Sequence, residues 1–169
     1  ELTSHNRQQH PPRGSAILFC YSELMTLPAV EDIQALLGYE FPGGRYTIAH
    51  WENFLLTECT GSGPLPNDLA HPVALFHVPI LGAGTSITEM FELGHAESGV
   101  SIGIESYEWE FHQALREEVE YDITGKVTAA ERINTETQTY DRIQFRFDLT
   151  DRGQAVASTI VTWRYRRTT

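Results

Sequence analysis

Residues 140–149 read YDRIQFRFDL, in which Ile143, Phe145, Phe147 and Leu149 alternate with Arg142, Gln144, Arg146 and Asp148. A period of two marks a strand with one buried and one solvated face, the habit of antiparallel sheets. Upstream, EVEYDITGKV (118–127) sets Val119, Tyr121, Ile123 and Val127 against Glu120, Asp122, Thr124 and Lys126. Downstream, a DRGQ turn leads into VASTIVTWRYRR (156–167), with Ala157, Thr159, Val161, Trp163 and Tyr165 on one parity. Before these, Val100, Ile102 and Ile104 alternate, and then Tyr107, Trp109 and Phe111 alternate on the shifted parity. One extra residue near Glu105 and Ser106 therefore implies a β-bulge. At least four antiparallel strands are expected between about 99 and 167.

Ahead of the strands, PILGAGTSITEMFELG (79–94) reads as a helix over 79–93, with Pro79 in its first turn and Gly94 just past its end. Ile80, Ala83, Ile87, Met90 and Phe91 form its apolar stripe. Gly82 and Gly84 each cost about 1 kcal/mol of helix propensity relative to Ala, so close approach of a sheet or ligand is expected there. Earlier still, PAVEDIQALLG (28–38) reads as a short helix and YEFPGGRYTI (39–48) as a small hairpin. A second helix follows from about Ala49 to Cys59, with Ile48, Trp51, Phe54 and Leu55 at helical spacing. The polar, proline-bearing residues 1–15 read as an arm and 16–169 as one α+β domain. Its economical form is a curved antiparallel sheet wrapped around one long central helix.

The chain has 169 residues, 41% hydrophobic and 21% charged, and no apolar run approaches the roughly 18 residues of a spanning helix. A net charge of −11 repels polyanions, so nucleic acid is not the expected partner. Cys20 and Cys59 lack C-x-x-C spacing, and seven scattered His form no HExxH or H-x-x-H pattern. Neither a metal site nor a disulfide framework is expected. No secretory signal pattern is visible, and a cytoplasmic location is expected.

GYEFPGGRYTIAHWENFLLTECTG before the central helix and YEWEFHQALREEVEYDITGKVTAAERI after it resemble the MaoC-like hot-dog family of (R)-specific enoyl-thioester hydratases and 3-hydroxyacyl-thioester dehydratases. The likeness is to the N-terminal half of double-domain members, where W-x-F-x-x-P-L-R-x-G-D opens the second long strand. Trp109, Phe111, Leu115 and Arg116 fit that pattern, whereas Ala114 replaces the proline and Glu117-Glu118 the Gly-Asp. The resemblance spans about Ala29 to Arg167. It implies a single hot-dog domain acting on an acyl thioester, with coenzyme A or phosphopantetheine as part of the substrate and no separate cofactor. It also implies a homodimer, or a heterodimer with another hot-dog subunit.

The family's loop G-D-x-N-P-x-H carries an acid and a base. Aligned at its glycine, GSGPLPN (61–67) puts Ser62 in the Asp position and Asn67 in the His position, and neither group transfers protons at neutral pH. His77 is the remaining ionisable candidate, and its bland alternative is a His satisfied in a packed turn. Backbone N–H groups of Leu81 and Gly82, with Gly84 beside them, are candidate contacts to a thioester oxygen, and Trp109 is a candidate substrate contact. Glu58, Asp68 and His71 flank the loop, His112 reads as surface or rim, and RYRR is a basic strand end able to meet phosphates.

Three readings follow. The chain is a hydratase or dehydratase with displaced catalytic residues; or a non-catalytic acyl-binding subunit of a heteromeric enzyme; or a repurposed thioesterase or polyketide cyclase. With the loop degenerate, the isolated protein is expected to hydrate enoyl thioesters slowly or not at all, and His77→Ala to affect binding more than turnover.

Overall fold

The computed structural model of the protein describes residues 27–167. The expected arm at 1–15, the domain's expected start at 16, and Cys20 lie outside them. In chain order the elements are α1 (Val30–Gln34), β1 (Gly44–Thr47), α2 (His50–Thr60), a 3₁₀ turn (Pro72–Phe76), α3 (Val78–Gly82), α4 (Ile87–Leu93), β2 (Ile102–Phe111), β3 (Glu120–Asn134), β4 (Thr139–Asp151) and β5 (Gln154–Arg167). The strands form one antiparallel sheet in the order β1-β3-β4-β5-β2.

The alternation in the sequence is the alternation in the sheet. Ile143, Phe145, Phe147 and Leu149 on β4 are fully buried, as are Tyr121, Ile123 and Val127 on β3 and all five residues named on β5. The β2 register shifts between Ile104 and Ser106, where the change of parity placed a bulge. Arg152 and Gly153 both have positive φ at the β4–β5 hairpin, the requirement of a tight turn whose twist matches its strands. This inner face buries against α3 and α4: Phe91 meets Trp163 edge-on at 5.5 Å, and the Tyr165 hydroxyl donates to the Met90 carbonyl at 2.8 Å.

Two expectations are corrected here. The single helix over 79–93 is two short ones, because Gly84 adopts φ +71 and Ser86 caps a new helix, its hydroxyl accepting from the Glu89 N–H at 3.1 Å. Gly82 is glycine because the sheet presses on it: a Cβ there would lie 2.2 Å from Ile123 Cδ1. Nor do residues 39–48 close a local hairpin. β1 pairs with β3, and the Phe41 N–H reaches the Gly125 carbonyl, so the segment extends the sheet instead of folding on itself.

At the far end of the inner face, Asp141 is wholly buried between Arg132 and Arg167. Arg167 also donates to the Gly94 and His95 carbonyls, closing the end of α4. Arg164 pairs with Glu105 at 2.7 Å. Two of the three arginines of the basic strand end are therefore internal partners.

Candidate active site

α2 is inverted relative to its apolar spacing. Trp51, Phe54 and Leu55 are exposed, while Glu52, Asn53 and Thr57 are buried. Burying Glu52 brings its carboxylate under the junction of the 3₁₀ turn and α3, where His77 sits. His77 Nε2 makes a short hydrogen bond to Glu52 Oε1. From β1, the Tyr46 hydroxyl donates to the same carboxylate, 3.2 Å from Oε1 and 3.3 Å from Oε2.

A carboxylate can only accept, so the His77 proton facing it belongs to Nε2. Nδ1 is left as the nitrogen that gains or loses a proton, and it has no hydrogen-bond partner among the described residues. Glu52 is 8% exposed, whereas the His77 side chain is 32% exposed. The buried carboxylate thus orients an imidazole whose other edge is open, the arrangement of a carboxylate-held general base. Burial, then the charge and hydrogen bond of Glu52, push the Tyr46 hydroxyl above its usual range, so it stays a donor.

The degenerate loop lies apart from this group. Ser62 is exposed and bonds Thr60 Oγ1 at 3.2 Å. Thr60 in turn lies 3.3 Å from His71 Nε2. His71 Nδ1 accepts from the Val73 N–H, so that ring caps the 3₁₀ turn and is not available as a base. Asn67 and Asp68 both have φ +57, and the Asn67 carbonyl accepts from Arg116 Nη1 at 2.9 Å. Asn53 fastens the loop from the other side, donating to the Leu69 carbonyl and to Glu117, and accepting from the His71 N–H. Glu117 also holds His50 Nδ1 at 2.9 Å; the two hydrogen-bonded partners raise the pKa of His50 and lower that of Glu117. No hydrogen bond joins Ser62 or Asn67 to His77 or Glu52.

No family model and no curated protein matches the sequence. Solved structures do match. The ChsH1-ChsH2 complex of Mycobacterium tuberculosis is similar over 83% of this chain and 91% of its own, at 12% identity and a TM-score of 0.58. The C-terminally truncated HadBC (3R-hydroxyacyl-ACP dehydratase) complex of the same organism is similar over 76% and 96%, at 11% and 0.58. A MaoC-like dehydratase of Phytophthora capsici is similar over 84% of this chain and 50% of its own, at 14% and 0.54. The chain has the hot-dog fold of the MaoC-like proteins.

Within this hot-dog domain the other candidates lie at the contact of α3 with the sheet and on β2. The Leu81 N–H is taken by the His77 carbonyl at 3.1 Å, and Gly82 is buried against Ile123 and Tyr46, which removes both as open donors. Gly84 packs on Pro42 and the Gly43 carbonyl. Trp109 is 39% exposed on β2 and belongs to an aromatic row: its ring lies 6.4 Å from Tyr107, which stacks on Phe76 at 4.8 Å. The row leads from the residue before His77 to the edge of the sheet. Burial pushes the Tyr107 hydroxyl up to about 12, and it donates to the Phe76 carbonyl. His112 rims an apolar cleft of about 420 Å³ lined by Leu65, Leu69, Pro72, Phe111 and Leu115. Cys59 is exposed. No helix among the described residues is long and apolar enough to cross a membrane.

Glu52 and Tyr46 are the functional candidates that sequence reasoning missed. Their one signal was a Glu in the first turn of a helix whose apolar residues flank it, and that is also where a solvated Glu favours the helix dipole.

Proposed function

We propose that this hot-dog protein is an acyl-thioester hydratase or dehydratase whose general base is His77, oriented by Glu52, in place of the pair absent from its loop. The observation that carries the reading is the buried Glu52 carboxylate holding His77 by Nε2 with Nδ1 open. In hydration, His77 Nδ1 takes a proton from water as the water oxygen bonds to the β-carbon and the π electrons move toward the thioester carbonyl. The imidazolium, held against Glu52, then returns that proton to the α-carbon. Dehydration is the reverse. General acid–base work of this kind is worth about 10²- to 10⁴-fold. Phe76, Tyr107 and Trp109 supply an apolar wall for the acyl portion.

The second reading, a non-catalytic subunit, is supported by Ser62 and Asn67, which leave the family's loop without acid or base. Both readings include a hot-dog partner. β2 is an edge strand with Ile104, Trp109 and Phe111 exposed, and the ChsH1-ChsH2 and HadBC structures are two-component complexes. The test is loss of the conjugated enoyl absorbance of a short enoyl-CoA with purified protein. Turnover in the wild type that falls at least about 100-fold in His77→Ala, and survives in Asn67→Ala, is the expected result. Tight enoyl-thioester binding without turnover would replace this reading with the subunit one.

A further inference from the structure

We propose that Tyr46 is a positioning residue for the His77–Glu52 pair: its hydroxyl holds the buried Glu52 carboxylate turned toward His77. This rests on His77 being the base. A carboxylate buried as deeply as Glu52 needs hydrogen-bond donors, since a buried polar group left without partners is costly. Among the described residues it has two, His77 Nε2 and the Tyr46 hydroxyl. His77 is the group that must change protonation state during turnover, which leaves Tyr46 as the constant donor. No other charged side chain among the described residues pairs with Glu52: on its own helix His50 is engaged by Glu117, and on β1 Arg45 is engaged by Glu120 and Asp122.

The Tyr46 side chain is aimed by backbone contact. A Cβ on Gly82 would lie 3.1 Å from Tyr46 Cβ, and one on Gly44 would lie 2.8 Å from the Gly82 carbonyl oxygen. β1 and α3 therefore meet glycine to glycine, and the Tyr46 ring leaves that seam toward Glu52. Its hydroxyl lies within 3.3 Å of both carboxylate oxygens, which fixes the carboxylate's position.

Tyr46→Phe removes the hydroxyl and keeps the ring. Without the hydroxyl the Glu52 carboxylate keeps, among the described residues, only His77 as a donor, the very ring it has to orient. In Tyr46→Phe kcat should fall roughly tenfold with KM within about twofold. A readout independent of turnover is proton NMR of the His77 ring: the hydrogen-bonded Nε2–H should give a far-downfield signal in the wild type that moves upfield or is lost to exchange in Tyr46→Phe. An unchanged signal in Tyr46→Phe overturns the proposal, as does a fall in melting temperature with kcat unmoved. If the wild type proves inactive, the reading of His77 as base fails on the enoyl-CoA assay, while the downfield signal still decides what Tyr46 does.

Discussion

The seam between α3 and the sheet is testable by adding a single methyl group. In Gly82→Ala the new Cβ would come 2.2 Å from Ile123 Cδ1, 3.1 Å from Ile123 Cγ1 and 3.1 Å from Tyr46 Cβ, against an ordinary carbon contact of about 3.5–4.0 Å. Ile123 is 1% exposed, so its terminal methyl has no free volume to enter. Overpacking of this kind costs about 1–3 kcal/mol, and the helical preference for Ala over Gly returns up to about 1 kcal/mol. A net loss of about 1–2 kcal/mol is expected, or roughly 3–6 °C in melting temperature for a domain of this size. Ile123→Val removes Cδ1 and alone costs about 0.5–1.5 kcal/mol. Because Cδ1 is the atom that collides, the double variant should be about as stable as Ile123→Val alone, a coupling of about 1–2 kcal/mol. Urea unfolding followed by Trp fluorescence measures all four proteins, since Trp163 is buried in the same core. Strict additivity, or a Gly82→Ala protein as stable as the wild type, would refute the account of this seam and with it the aiming of Tyr46.

Three further outcomes follow from the charges and the sheet edge. The folded state raises the His50 pKa, so that contribution is complete below about pH 6.5 and fades as pH rises through the folded value; Glu117 is lowered, so its contribution is present above about pH 4.5 and fades as pH falls through its folded value. The melting-temperature gap between wild type and His50→Gln should accordingly be widest near about pH 5.5 and narrow toward about pH 8.5, and a gap constant with pH would refute the pairing. Asp141→Asn strands two buried arginines and should cost about 3–5 kcal/mol by urea unfolding, whereas Arg45→Ala, in an exposed pair, should cost under about 1 kcal/mol. Ile104→Lys puts a charge on the exposed edge of β2 and should abolish association with a second copy or a hot-dog partner in sedimentation, with the melting temperature of the monomer unchanged.

The sheet was legible in the sequence because its evidence is local and repeated. Each of β3, β4 and β5 carries three or more same-face apolar residues at period two, and a slip of one residue would turn every one of them away from the inner face. The bulge at Glu105 was legible for the same reason, as a break in parity. The broken central helix was not, because a Gly within a helical pattern looks the same whether it is accommodated or, like Gly84, adopts positive φ and ends the helix. Only contact with the Pro42–Gly43 turn, some forty residues earlier, decides between them.

The site was illegible for a stronger reason: it depends on α2 breaking the rule by which helices are read. Apolar spacing assigns Trp51, Phe54 and Leu55 to the core, yet Trp51 is 66% exposed and the opposite face is buried. That face is tolerated because its polar groups are satisfied across distance, Asn53 by Leu69, His71 and Glu117, and Glu52 by Tyr46 and His77. In the orientation the periodicity favours, Glu52 would sit in solvent, where a pair with His77 would be worth under about 1 kcal/mol and would not fix a tautomer. Inversion converts the same residue into a desolvated carboxylate with two donors. Local rules fail most often where a protein has arranged a site. Here the departure that hid the pair from the sequence is the one that buries the Glu52 carboxylate against His77.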